Sequence, residues 1–157
     1  METPIIYWFR LDLRTRDLPG LLAAAATGKP LVACYILDDA SPGEHAMGSA
    51  SRWWLHHSLT SLMKDSKLPF VLLKSEAEKA ILKLVKDCSI THVVWNLRLE
   101  PEFLKRDKAI QKKLQASGIE VIVTNGAYLH YPAEIQSKSK DFFKVFTPFY
   151  KHCMKMV

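Results

Sequence analysis

The stretch PIIYWFRLDLRTRD, residues 4 to 17, concentrates the charged chemistry of the chain. An apolar run from Ile5 to Phe9 stops at Arg10, and Asp12, Arg14, Arg16 and Asp17 follow closely. Alternating cations and carboxylates at the end of a buried strand have two uses. They can face a polar or charged ligand, or Arg10, Asp12, Arg14 and Asp17 can pair among themselves and fix the loop. Pairing is the better reading for Asp12 and Arg14. Two other segments are equally polar. LDDASPGEHAMGSASRWW follows a second apolar run, and NLRLEPEF follows a fourth. Arg52 stands at the start of a helix, where a cation opposes the macrodipole. It therefore wants an anionic partner, either a loop carboxylate such as Asp38 or a ligand. Trp53 and Trp54 are expected in the core or an interface rather than stacked on a ligand, on the ordinary habits of indoles.

Several chemistries are excluded by pattern. Neither G-x-G-x-x-G nor G-x-x-x-x-G-K-[ST] occurs, so nothing offers the usual cradle for a pyrophosphate. No G-x-S-x-G elbow is present. His56 and His57 are adjacent, and on a helix they point about 100° apart, so they cannot share a metal. Cys34, Cys88 and Cys153 are scattered and odd in number, which argues against a disulfide framework and for reduced, mostly buried thiols.

The elements that must position the polar segments alternate. PIIYWF, PLVACYIL, PFVLLK, THVVWN and IEVIVT read as strands. Between them lie helical patterns: the alanine-rich LPGLLAAAATG closed by Gly28, and SASRWWLHHSLTSLMKD with Leu55, Leu59, Leu62 and Met63 at helical spacing. SEAEKAILKLVKDC opens with Ser75 and Glu78 in capping-box spacing, and PEFLKRDKAIQKKLQASG runs from Pro101 to Gly118. Continuous apolar strands separated by helices predict an α/β domain: a five-stranded doubly wound parallel sheet, Rossmann-like, in order 3-2-1-4-5 with helices on both faces. In such sheets ligands sit beyond the carboxyl ends of the strands at the switch in strand order. The polar segments after the first, second and fourth strands surround that point. After Thr124 the alternation stops, and Phe142, Phe143, Phe146, Phe149 and Tyr150 crowd an aromatic tail that either covers itself or meets another chain.

The bulk properties agree with a globular domain of 157 residues and net charge +6. The excess charge mildly favours an anionic partner, though the lysines are spread along helices as on any solvated surface. No run approaches the length of a membrane span. The start, METPII, lacks the features of an export signal, so a cytoplasmic location is expected.

Five blocks, YWFRLDLRTRD, ACYILD, GSASRWWLHHSL, THVVWNLRLEP and KVFTPF, occur in order over residues 4 to 152. Together they resemble the amino-terminal α/β domain of DNA photolyases and cryptochromes. The resemblance implies one such domain over residues 1–157. It implies an antenna pigment, methenyltetrahydrofolate or 8-hydroxy-deazaflavin, that passes excitation energy to an FAD held by a separate helical domain. By the same resemblance the pigment cleft is lined by Phe9, Arg10 and Asp12 after the first strand, and by Tyr35, Ile36, Leu37 and Asp38 after the second. Ser51 and Arg52 open the next helix, and Asn96, Arg98, Glu100 and Phe103 follow the fourth strand. The Asn-Arg-Glu-Pro pattern of NLRLEP favours the folate. The helical FAD-binding domain, FAD itself, repair activity and direct DNA binding are not expected within these residues. The implied partner is a helical FAD-binding chain or, through the aromatic tail, a second copy. An interaction module of the same fold without pigment is the competing reading; a small nucleotide-binding domain is weaker for want of a phosphate loop.

Overall fold

The structure, a computed structural model, describes residues 2–41, 46–126, 128–137 and 141–156. Five strands form, β1 (Ile5–Phe9), β2 (Leu31–Leu37), β3 (Phe70–Lys74), β4 (His92–Asn96) and β5 (Glu120–Thr124). They pair parallel in the order β3-β2-β1-β4-β5, as the sequence predicts. The crossovers are helices α1 (Pro19–Ala26), α2 (Ser49–Ser66), α3 (Ala77–Asp87) and α4 (Pro101–Ala116). Gly28 and Gly118 follow α1 and α4 at φ +69° and +77°, the left-handed conformation in which a side chain is strained.

Strand parity sorts the core into two layers. Ile6 and Trp8 of β1 pack with Cys34, Ile36, Val93 and Trp95 on the face covered by α3 and α4. Ile5, Tyr7 and Phe9 point the other way and pack with Leu18 and Ala24 near α1, Tyr35 of β2 and Leu62 of α2. The central strands are buried on both faces, whereas β3 and β5 at the edges leave Leu72 and Val123 partly wet. On α3 the stripe Ala77, Ile81 and Val85 is buried and Leu84 packs against it, as its spacing predicts. The capping box expected at Ser75 and Glu78 does not form. The N-cap position is Glu76, no side chain caps it locally, and Asp38 from the end of β2 accepts from the Ala77 N–H at 3.0 Å instead. Glu78 is drawn away to Lys113 of α4.

Two other expectations need correction. Trp53 and Trp54 are not core residues: they are 63% and 69% exposed. Of the cysteines Cys34 alone is buried; Cys88 is exposed and Cys153 is partly covered. The chain divides into two compact units, Met1–Ala127 and Tyr128–Val157. The second unit contains a 3-10 turn at Pro132–Glu134 and a short helix, α5 (Phe146–Cys153), where the sequence shows no strong period. Its aromatic side chains cluster locally, with Phe143 6.3 Å from Phe149 and Phe146 stacked 5.8 Å from Tyr150. Phe143 is partly covered, and Phe142, Phe146, Phe149 and Tyr150 remain exposed. Among the described residues no helix is long and apolar enough to cross a membrane.

Candidate functional site

A cavity of about 1220 Å³ opens in the first unit beyond the carboxyl ends of the central strands. Its apolar floor is made by Trp8 and Phe9 at the end of β1 and by Tyr35, Ile36 and Leu37 of β2. Asp38 and Asp39 continue from β2, and Met47, Gly48 and Ser51 bring in the start of α2. Arg98, Glu100 and Phe103 close the side toward β4 and α4. Phe9, Arg10, Tyr35, Ile36, Leu37, Asp38, Ser51, Arg98, Glu100 and Phe103 are thus brought together as the sequence reading places them.

Asp12, Asn96 and Arg52 do not line the cavity. Asn96 lies on the face of β4 covered by α1, the same face as Tyr7, so parity turns it away. There Tyr7 Oη donates to Asp12 Oδ2 at 2.7 Å, and Asn96 Nδ2 donates to Tyr7 Oη at 3.1 Å and to Asp12. The Thr124 hydroxyl donates to Asn96, and the Arg10 N–H donates to Asp12 Oδ1 at 2.9 Å. This network joins the loop after β1 to the ends of β4 and β5. Gly20 of α1 packs so closely on it that a Cβ there would lie 2.8 Å from Asn96 Oδ1 and 2.9 Å from Tyr7. Arg52 pairs with Asp39 at 2.7 Å and donates through Nε to the Met47 carbonyl at 2.9 Å. Its partner is Asp39, not Asp38, because Asp38 is already committed.

The charges after β1 do not pair with one another in the way the sequence suggests. Arg10 forms a buried ion pair with Asp107 of α4, which sequence reading missed. The signal was there. Asp107, Ile110 and Leu114 are the buried positions of α4, so the carboxylate continues an apolar stripe. Arg10 shares the parity of Ile6 and Trp8 and meets that stripe. Arg14 instead donates to the carbonyls of Asp17 and Gly126, both at 2.9 Å. Arg106 completes an ionic chain across the cavity wall, 2.8 Å from Asp107 and 3.3 Å from Asp38. The guanidinium carbons of Arg10 and Arg106 lie 5.0 and 5.2 Å from the Trp8 ring, within reach of its electron-rich face. Arg98 is stacked 3.5 Å over Phe103 and held by Glu100 at 2.6 Å. Arg10 Nε and Nη2 are buried without a hydrogen-bond partner.

Asp38 is a hub rather than an idle acid. Its oxygens accept from the N–H groups of Ala40 at 3.1 Å, Ser41 at 2.9 Å and Ala77 at 3.0 Å, and from the Ser41 hydroxyl. Burial raises the Asp38 carboxyl pKa, but these hydrogen bonds outweigh it and hold the group below the ordinary carboxylate range. A carboxylate whose pKa is depressed by folding adds stability above its unfolded value, near pH 4, and loses it as pH falls through the folded value. Asp38→Asn should therefore flatten the acid limb of the stability-versus-pH curve below about pH 4. Urea melts at steps from pH 3 to pH 7 test this; an unchanged acid slope would remove Asp38 from that role.

Comparison with known proteins places this geometry. The profile of the DNA photolyase family matches residues 5–157. The deoxyribodipyrimidine photo-lyase of Agrobacterium fabrum is 38% identical over 152 residues, 94% of this chain and 31% of that enzyme. Cryptochrome-2 of Arabidopsis thaliana is 35% identical over 160 residues, 99% of this chain and 26% of that protein. The crystal structure of a class III photolyase from Agrobacterium tumefaciens superposes with a TM-score of 0.88 at 36% identity, covering 98% of this chain and 32% of that one. The archaeal photolyase from Sulfolobus tokodaii, solved with two FAD molecules, shares the fold with a TM-score of 0.76 at 23% identity, over 97% of this chain and 35% of its own. The chain thus spans about a third or less of the length of these relatives.

Proposed function

This chain belongs to the DNA photolyase family, and from that we propose that its first unit is an antenna domain: it holds a light-harvesting pigment in the cavity beyond β1, β2 and β4 and passes excitation energy to a flavin held elsewhere. The observation that carries the reading is the cavity itself, at the switch point between β1 and β4, with an apolar floor and a wall of stacked arginine and aromatic side chains. Its volume is ample for a folate or a deazaflavin, since small-molecule sites run to about 300–1,000 Å³. The donor set suits a ring edged with carbonyl and ring-nitrogen acceptors, because Arg10, Arg14, Arg98 and Arg106 offer guanidinium groups around one space. Methenyltetrahydrofolate is the leading pigment and 8-hydroxy-deazaflavin the alternative. When bound, the pigment supplies near-ultraviolet or blue absorption; the chain supplies a dry, rigid seat. In this reading FAD binding, DNA contact and repair belong to parts of the relatives that this chain does not span.

The test is reconstitution. The purified chain mixed with methenyltetrahydrofolate should retain its near-ultraviolet band through gel filtration at close to one pigment per chain. Loss of the band for both the folate and the deazaflavin would refute the reading.

A second reading is carried by the second unit. Phe146 is stacked on Tyr150 and packs near Phe149, all three are exposed, and contiguous apolar surface of that kind marks interaction sites. In this reading the tail meets a helical, FAD-holding chain or a second copy. Sedimentation at several concentrations separates them: association with rising concentration supports the second copy, and a strict monomer leaves the helical chain.

A further inference from the structure

The amino ends of the strands, opposite the cavity, hold a second group of side chains able to do chemistry. His92 opens β4 and stands in register with Glu120, the first residue of β5. Its Nε2 lies 3.0 Å from the Glu120 carboxylate. Its Nδ1 lies 3.3 Å from Lys29 Nζ and 2.9 Å from the Thr91 hydroxyl. Lys29 also donates to that hydroxyl at 3.2 Å. The tautomer follows from these partners. An ammonium only donates, so Nδ1 accepts from Lys29, and the ring proton sits on Nε2 facing the carboxylate. The backbone holds Lys29 in place on both sides. Its N–H donates to Thr27 Oγ1 at 3.3 Å, and the carbonyl of Pro30, the next residue, accepts from the Ile5 N–H at 2.9 Å. Lys29 is half-buried, the His92 side chain is 15% exposed and that of Glu120 64%, so the group meets solvent at one edge.

We propose that Lys29 is a preferred acylation site: its amine, with His92 as base, takes an acyl group from an activated donor, an acyl phosphate or an acyl thioester. The site is independent of the pigment cavity. A nucleophile, a base within hydrogen-bond reach and a carboxylate that orients the base are the three parts that activate an amine. In its amine form Nζ keeps one N–H on Nδ1 and offers its lone pair to the acyl carbon. As the C–N bond forms, the proton passes to Nδ1, and Glu120 stabilises the imidazolium. The C–O or C–S bond breaks, and phosphate or thiolate leaves with the electron pair. His92 then gives its proton to the leaving group or to water. Nothing is oxidised or reduced. The product is a neutral amide whose remaining N–H can still donate to Nδ1 or Thr91, so the site tolerates the change while losing one positive charge. Other lysines lack the base. Lys74, Lys79, Lys83 and Lys113 pair with carboxylates, which are too weak as bases to take a proton from nitrogen near neutral pH.

The experiment exposes the 157-residue chain briefly to acetyl phosphate and, separately, to acetyl-coenzyme A. Quantitative peptide mass spectrometry reads the rate of acetylation at each lysine. Lys105, Lys108 and Lys112, exposed on α4, serve as internal standards. Lys29 should react about tenfold faster than these or more, although it is the less exposed. His92→Gln keeps a hydrogen-bonding side chain and removes the base, so it should bring Lys29 down to the standards or below. Glu120→Gln should slow Lys29 and leave the standards unmoved. Circular dichroism melts check each variant; the Glu120 side chain is exposed, so that variant carries the test even if His92→Gln does not fold. Preference with acetyl phosphate alone supports the site with an acyl phosphate as donor, and preference with acetyl-coenzyme A alone supports it with a thioester. Preference with both supports the whole donor class. Lys29 no faster than the standards with either donor overturns the proposal. A fast Lys29 that neither variant slows overturns it as well, because the reactivity then owes nothing to His92.

Discussion

Replacing Asp107 with alanine is expected to lower the free energy of unfolding by about 3–5 kcal/mol, the scale for breaking a buried ion pair from one side. The loss is large because of what remains. Arg10 has a side chain 5% exposed and two guanidinium nitrogens already without partners. Burial pushes its pKa down from the ordinary arginine value, and Asp107 is the main group opposing that shift. Remove the carboxylate and a guanidinium stays buried with the Trp8 face as its chief compensation. Arg106 loses its partner at 2.8 Å as well and falls back on Asp38. The paired change Arg10→Met with Asp107→Leu removes both charges and conserves volume, so it should be near neutral or stabilising. Guanidinium chloride melts of the three proteins decide the matter. A double variant as unstable as Asp107→Ala alone would mean that packing, not the stranded charge, sets the cost.

The part of this architecture legible in the sequence was the part carried by period and composition. Continuous apolar runs separated by amphipathic helices specify strands buried on both faces, and the switch point then follows from topology. Even Arg10, Tyr35 and Phe103 could be brought to one place, since they flank the carboxyl ends of three neighbouring strands. What could not be read is which way a polar side chain turns once the backbone has delivered it. Asp12 and Asn96 stand beside the cavity in sequence, but the parity of β4 and the close approach of Gly20 fold them into the core. Asp38 looked like a ligand residue, and its backbone contacts make it a cap for α3 reaching across from another strand. A cap supplied by a residue 39 positions away leaves no local pattern. Trp53 and Trp54 failed for a related reason. The buried side of α2 is held by Leu55, Leu59 and Leu62, and the indoles lie off that stripe. A rule that places tryptophan inside describes an average over folds and not this helix.

Asp12→Ala should be about as costly as the Asp107 change, on the order of 3–5 kcal/mol, and for a different reason. The Asp12 carboxylate accepts from three donors at once: the Tyr7 hydroxyl at 2.7 Å, the Arg10 N–H at 2.9 Å and the Asn96 amide. Each stranded buried donor costs roughly 1–3 kcal/mol, and Asp12→Ala strands three at once. Tyr7 reports the coupling directly: burial, and after it the Asp12 charge, push its phenol pKa far above the ordinary tyrosine value. Tyr7→Phe removes one donor together with its need for an acceptor, so it should cost only about 1 kcal/mol. In the double variant the two changes should cost less than their sum, because with Tyr7 gone Asp12→Ala strands fewer groups. The same series separates the two roles that the residue can be given. If Asp12 serves the fold alone, the folded Asp12→Asn protein binds methenyltetrahydrofolate as the parent does, although its melting point is lower. If Asp12 touches the pigment, affinity falls in Asp12→Asn under conditions where the protein is fully folded, and Tyr7→Phe leaves affinity intact. The network faces α1 rather than the cavity, so the first result is the expected one.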